Sequence, residues 1–180
     1  MKITETELPG VVVIEPKVFG DERGFFIETF QVERYQSLAG ISAKFVQDNH
    51  SRSRRGVLRG LHVQKQQPQG KLVRAARGEI FDVAADIDPR SPTFGRWVGV
   101  TLSDTNHRQL WIPPGYAHGF VVVSEIADFE YKCTAYYHPQ SETGVIWNDA
   151  DLGIAWPIQD PILSDKDKRL PTLASLTSKA

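Results

Sequence analysis

The strongest constraint on how this chain can fold is a series of short apolar runs, mostly β-branched or aromatic, each stopped by turn residues. The runs are Val11–Ile14, Phe25–Ile27, Leu72–Arg74, Ile80–Ile87, Trp97–Leu102, Gln109–Ile112, Gly119–Val123 and Phe129–Thr134. Between them stand Pro9-Gly10, Gly20-Asp21, Ala76-Arg77-Gly78-Glu79, Asp88–Pro92 and Pro113-Pro114-Gly115. Short strands at regular spacing with turn signals predict an all-β sandwich or barrel. Gly78 serves a turn by its φ freedom, and Pro89 and Pro92 by a fixed φ and a missing donor. Helix signal is confined to Gln31–Leu38, with Gly40 placed to end it as a C′ residue. From Ile162 the chain reads as an irregular polar tail, because Pro161 and Pro171 interrupt any long element. At 180 residues the chain suits one domain with a full core, residues 1–180, and it has no repeat or linker that would divide it.

Charge and cysteine content narrow the function. A formal net charge of −1 gives no overall attraction to nucleic acid or to an anionic membrane. The most basic stretch, Arg52-Ser53-Arg54-Arg55, reads as a solvated loop. A single cysteine, Cys133, excludes an internal disulfide framework and a Cys-rich zinc site, and its apolar run suggests a buried, inert thiol. Met1–Glu5 lacks the apolar stretch of a signal peptide, and no window approaches the ~18 apolar residues of a spanning helix. A soluble, cytoplasmic protein is expected.

Two histidine elements carry the chemistry. Val57-Leu58-Arg59-Gly60-Leu61-His62 is followed by Gln69-Gly70-Lys71, and Pro113-Pro114-Gly115-Tyr116-Ala117-His118-Gly119-Phe120 supplies a second histidine on a second strand. Gly56 and His62 have the spacing that starts the first cupin motif, and the second element resembles the other cupin motif. Yet position 64 is Gln where that motif has another histidine, no glutamate follows before Gly70, and Val122 stands at the later asparagine position. Zn, Fe or Mn sites generally take three or more protein ligands. The expected fold is therefore a cupin-type jelly roll, a double-stranded β-helix with a few short helices, without a metal. Strand alternation puts Arg59 and His62 on opposite faces unless Gly60 marks a bulge or the strand turns at the barrel rim.

Longer stretches extend the likeness: Gly20-Asp21-Glu22-Arg23-Gly24-Phe25-Phe26, Phe45–Ser51, Val57–His62, Gln69–Arg74, Ser91–Gly95, Ile112–Phe120, and Trp147-Asn148-Asp149 through Leu163–Asp167. In this order they resemble the dTDP-4-dehydrorhamnose 3,5-epimerases over nearly the whole chain. The resemblance implies a homodimer without cofactor that inverts C3 and C5 of dTDP-4-dehydro-6-deoxy-D-glucose, a step toward dTDP-L-rhamnose. It implies His62 as general base, Asp167 as its carboxylate partner, Tyr131 as general acid and Lys71 beside the ketone oxygen. Tyr137 would stack on thymine, although the residues alone leave Tyr136 and Tyr137 equal. Arg23, Glu28, Gln47, Asp48, Asn49, Arg59, His118, Glu142 and Lys166 match positions lining the nucleotide-sugar site. Strands Val11–Ile14 and Phe25–Ile27 would reach a neighbouring subunit, carrying Arg23 and Glu28 into its site. The nearest alternative is a mono-epimerase acting at C3 or C5 only, in a related dTDP-deoxysugar pathway. A sugar-binding cupin without activity, or a metal-dependent cupin oxygenase, stands further off.

These residue types suit the chemistry. Carbons 3 and 5 both flank the C4 ketone, so one enolate strategy serves both. Histidine, with an ordinary pKa of about 6.5, is a base near working pH. The developing oxyanion needs a positioned cation, which Lys71 could supply. The diphosphate favours arginine forks such as Arg23 and Arg59. Taken by itself, Asp165-Lys166-Asp167-Lys168-Arg169 reads as a solvated face; only the family match assigns Asp167 a partner.

Overall fold

Residues 1–177 are described by the computed structural model of the chain. The elements run β1 (Lys2–Glu5), β2 (Val12–Glu15), β3 (Val18–Asp21), β4 (Gly24–Ile27), α1 (Val32–Ala39), β5 (Gln47–Arg54), β6 (Leu58–Gln64) and β7 (Lys71–Arg77). There follow β8 (Glu79–Ala85), β9 (Trp97–Ser103), β10 (Gln109–Ile112), β11 (Ala117–Val122), β12 (Ile126–Cys133), β13 (Glu142–Gly144) and α2 (Leu173–Thr177).

Alternation along the strands dictates how they assemble. One sheet has the order β1-β2-β10-β7-β12-β5, the other β13-β6-β11-β8-β9, and β3 and β4 form a separate hairpin. Every paired strand within the sheets is antiparallel. The sheets face each other across a core of Val73, Leu110, Ile112 and Phe129 from the first and Ile80, Leu102, Phe120 and Val122 from the second. The spacing of the apolar runs predicts an all-β sandwich or barrel, and the two histidine motifs the jelly roll that is found.

Both outer faces are also partly covered. On the first sheet, Val12, Ile14, Leu72 and Trp111 pack under Tyr35 of α1 and Ile41 just after it. On the second, Leu61, Val83 and Ala85 lie beneath Val145, Leu152 and Leu173 of the C-terminal stretch. α1 begins at Gln31, whose side chain accepts from the Arg34 amide, and ends at Gly40 with φ 68°. The tail, although irregular, is tethered: Ile162 forms a parallel bridge with Val57, and its carbonyl accepts from the Leu58 amide at 3.0 Å.

The reading of Arg52–Arg55 as a loop needs correction. Arg52 and Arg54 belong to β5, and only Arg55 lies in the turn that follows. Arg52 spends its charge on Asp128 of the adjacent β12, with Nε donating at 2.6 Å and Nη2 at 2.8 Å. A strand with no apolar alternation is thus held by cross-strand ion pairs on its outer face.

Candidate active site

β6 and β11 are forced close together by two facing glycines. The register places His118 opposite His62 and Phe120 opposite Arg59, so β6 carries one extra residue there. A Cβ on Gly60 would lie 2.4 Å from the Gly119 Cα, and one on Gly119 would lie 2.8 Å from the Arg59 carbonyl oxygen. This bulge resolves the parity conflict: Arg59 and His62 line the same cavity.

That cavity, about 620 Å³, opens between the sheets. Its size is in the range of small-molecule sites. The second sheet contributes Arg59 and His62 from β6, His118 from β11 and Glu142 from β13; the first contributes Gln47 and Asn49 from β5, Lys71 from β7 and Tyr131 from β12. Tyr137, Lys166 and Asp167 close the rim.

His62 Nε2 lies 2.6 Å from Asp167 Oδ1. A carboxylate only accepts, so Nε2 carries the proton and Nδ1 is left with its lone pair free. Burial by itself would raise the pKa of Asp167. The hydrogen bond and charge of His62, with the Ser164 hydroxyl donating at 2.8 Å, hold it below its ordinary value instead. Asp167 is only 3% exposed although its neighbours in the charge run are solvated, because the Ile162 tether folds the tail beside β6.

Lys71 enters from the facing wall. Burial holds its ammonium below the usual lysine pKa, partly offset by the carboxylates of Glu142 and Asp82. Tyr131 packs against Phe129 with ring centroids 5.3 Å apart, and burial raises its pKa, so it keeps its proton at neutral pH. His118 is buried against Asp82, Nε2 to Oδ2 at 2.9 Å; burial pulls the histidine down more than Asp82 raises it. Arg59 donates from Nε and Nη2 to Ser53 Oγ at 3.1 and 3.0 Å, which aims its fork along the cavity wall.

At the rim, the Tyr137 hydroxyl donates to Glu142 Oε2 at 2.6 Å, and Lys166 pairs with the same carboxylate oxygen. That hydrogen bond is the main reason the Tyr137 pKa is raised. The Tyr137 amide donates to Gln47 Oε1 at 3.0 Å, and Gln47 in turn donates to Asn49. Tyr137 lines the cavity, whereas Tyr136 points into solvent and does not. Gln64, at the position where the motif has another histidine, spends its amide on the backbone of Gln67, Tyr136 and His138. Among the described residues, no group of three or more His, Cys, Asp and Glu side chains is arranged to hold a metal ion.

Three expected site residues are not brought together with the rest. Asp48 alternates to the outer face of β5, where it pairs with Lys132 at 2.9 Å and borders a second cavity of about 390 Å³. Arg23 stands in the β3–β4 hairpin paired with Asp21, and Glu28 pairs with Arg34. Neither lines the cavity of its own chain. Conversely, Asp82, Ser164 and Ser53 went unpredicted. Asp82 leaves a trace in the sequence, one of two aspartates inside the apolar run Ile80–Ile87; Ser164, three residues before Asp167, has the spacing of a side-chain cap.

Comparison with known proteins decides the family. The family described as dTDP-4-dehydrorhamnose 3,5-epimerase matches residues 5–175. The chain belongs to this family. A dTDP-4-dehydrorhamnose 3,5-epimerase of Salmonella typhimurium is 57% identical over 175 residues, 96% of each chain. A crystal structure of a dTDP-6-deoxy-D-glucose-3,5-epimerase from Legionella pneumophila, in complex with dTDP-4-keto-L-rhamnose, superposes with a TM-score of 0.95 at 55% identity, covering 99% of this chain and 95% of that one. A 3'-monoepimerase from Streptomyces bikiniensis in complex with dTDP-quinovose reaches a TM-score of 0.90 at 33% identity, covering 97% and 89%. The cupin jelly roll is common to the family.

Proposed function

We propose that this protein inverts C3 and C5 of dTDP-4-dehydro-6-deoxy-D-glucose to give dTDP-4-dehydro-L-rhamnose. The observation that carries the reading is the placement of base and acid on facing walls of one cavity: His62 on the second sheet, Tyr131 on the first. A sugar ring held between them loses a proton on one face and regains one on the other, which is what inversion requires.

His62 Nδ1 takes the proton from the carbon beside the C4 ketone. The electron pair moves onto the ketone oxygen, where the Lys71 ammonium meets the developing charge. Tyr131 then gives its hydroxyl proton to the opposite face of the carbon. Asp167 keeps the imidazole in the tautomer that leaves Nδ1 free and stabilises the imidazolium once it forms. Arg59 faces the diphosphate and Tyr137 offers its ring to the thymine.

The second subunit follows from what one chain leaves out. Phe19, Phe25 and Phe26 of the β3–β4 hairpin are exposed, Phe26 by 68%, and Arg23 and Glu28 lie on or beside that hairpin. Docking of the hairpin on a second copy buries the aromatic rings and delivers Arg23 and Glu28 to the neighbouring cavity.

Turnover in D2O tests the reaction. Deuterium is expected at both C3 and C5 of the product. Label at one carbon only would select a mono-epimerase, a reading that the 57% identity to a 3,5-epimerase against 33% to a mono-epimerase disfavours. Label at neither would sink the enzyme reading.

A further inference from the structure

Two inversions at one site raise a question of proton balance. Each leaves His62 one proton richer and Tyr131 one proton poorer, so His62 must unload before it can act again. The route cannot run through Nε2, because that nitrogen already donates to Asp167, which is buried and also held by Ser164. The proton taken from carbon sits on Nδ1. The carboxylate on that side is Glu142, with Oε1 3.8 Å from Nδ1 and a side chain 11% exposed.

Glu142 is put there by backbone pairing. β13 runs against β6 with Gly144 opposite His62 and Glu142 opposite Gln64, so Glu142 occupies the diagonal position beside His62. A Cβ on Gly144 would lie 1.7 Å from the Leu61 carbonyl oxygen, so only glycine lets β13 come this close. The other carboxylate oxygen, Oε2, bonds Tyr137 and Lys166, both about half exposed at the cavity mouth. One end of the carboxylate thus faces the base and the other faces solvent.

Building on the epimerase reading, we propose that Glu142 is the relay through which His62 sheds its proton between the two inversions. The Nδ1–H bond of the imidazolium breaks as an Oε1–H bond forms on Glu142. The proton then passes to water at the mouth and the carboxylate is restored; the Tyr131 phenolate recovers its proton from water. The 3.8 Å separation exceeds hydrogen-bond reach in the neutral resting state, and the imidazolium charge draws the two groups together. Burial would raise the pKa of Glu142, but Lys166, Tyr137 and His62 bring it below its usual value, so it stands ready as a carboxylate. Because it acts through His62, Glu142 is a positioning residue.

The test compares the full-length wild type with Glu142→Gln and Glu142→Asp. The charged and titratable groups around His62 are Asp167 and Lys166 from the tail, Lys71 from β7, His118 from β11, Tyr131 from β12, Arg59 from β6, Tyr137 at the rim and Glu142 itself; Glu142→Gln removes the charge of the last alone. Removing a negative charge beside Nδ1 makes the imidazolium less favourable, so the acid limb of kcat/KM should move down by about half a unit to one unit. Singly epimerised product should accumulate with Glu142→Gln and fall back with Glu142→Asp. A Glu142→Gln variant that raises KM alone, with the acid limb and product ratio unmoved, overturns the relay. Wild type that labels neither carbon in D2O overturns the epimerase reading and the relay with it; wild type that labels both while the variant is unchanged overturns the relay only.

Discussion

Lys71 lies in the cavity with no hydrogen bond or ion pair among the described residues, and its pKa is held below the ordinary 10.5 by burial. A lysine whose folded pKa is depressed destabilises the fold while it is charged. That cost is complete below the folded pKa and is relieved as pH rises from there toward the unfolded value. Lys71→Met should therefore raise the melting temperature at neutral pH, at about 2–4 °C per kcal/mol for a chain of this size. The advantage should shrink as pH approaches 10. In the same variant kcat should fall by about 10²–10³, the usual loss on removing an oxyanion partner. Thermal melts across pH, alongside turnover, check both. Residues differ in how far the sequence reveals them. His62 and His118 are readable because their motifs specify position. Asp167 is not, because its burial depends on the Ile162 tether, a contact between segments about a hundred residues apart. Asp48 shows the opposite limit, since family position put it in the site while strand alternation turns its side chain to the outer face.

At the scale of the element, the apolar runs other than Phe25–Ile27 translate into strands of the two sheets because alternate residues of each pack in the core between them, and α1 matches its expected span because both caps are written locally in Gln31 and Gly40. β5 escapes this logic. Its sequence, Gln-Asp-Asn-His-Ser-Arg-Ser-Arg, has polar side chains on both faces. The inner ones form the cavity wall and the outer ones pair with β12, so no hydrophobic period remains to be seen. The β6 bulge is foreshadowed only by Gly60. Gly60→Ala puts a methyl group 2.4 Å from the Gly119 Cα at a φ of 131°, and both atoms it meets first are backbone. A loss of about 3 kcal/mol or more is expected, measurable as a lower urea midpoint. If the variant folds, activity should fall through displacement of both Arg59 and His62. Unchanged stability would mean that the strands can separate at this point without cost.

Across the whole molecule, two sheets enclose the chemistry, and the covering of their outer faces by α1 and the C-terminal stretch leaves the cavity mouth as the open side. Cys133 lies on the inner face of β12, fully buried, with the Asn49 amide 3.6 Å from its sulfur. Burial raises its pKa, so it is kept as an unreactive thiol. Alkylation of the native protein should therefore proceed only as fast as the barrel opens, and dTDP should slow it further by favouring the closed state. Mass-detected pulse labelling would measure this, and fast modification unaffected by dTDP would contradict it. As the chain's single cysteine, Cys133 gives the protein a built-in clock: the time a thiol reagent takes to reach it is the time the two walls of the reaction chamber stay shut.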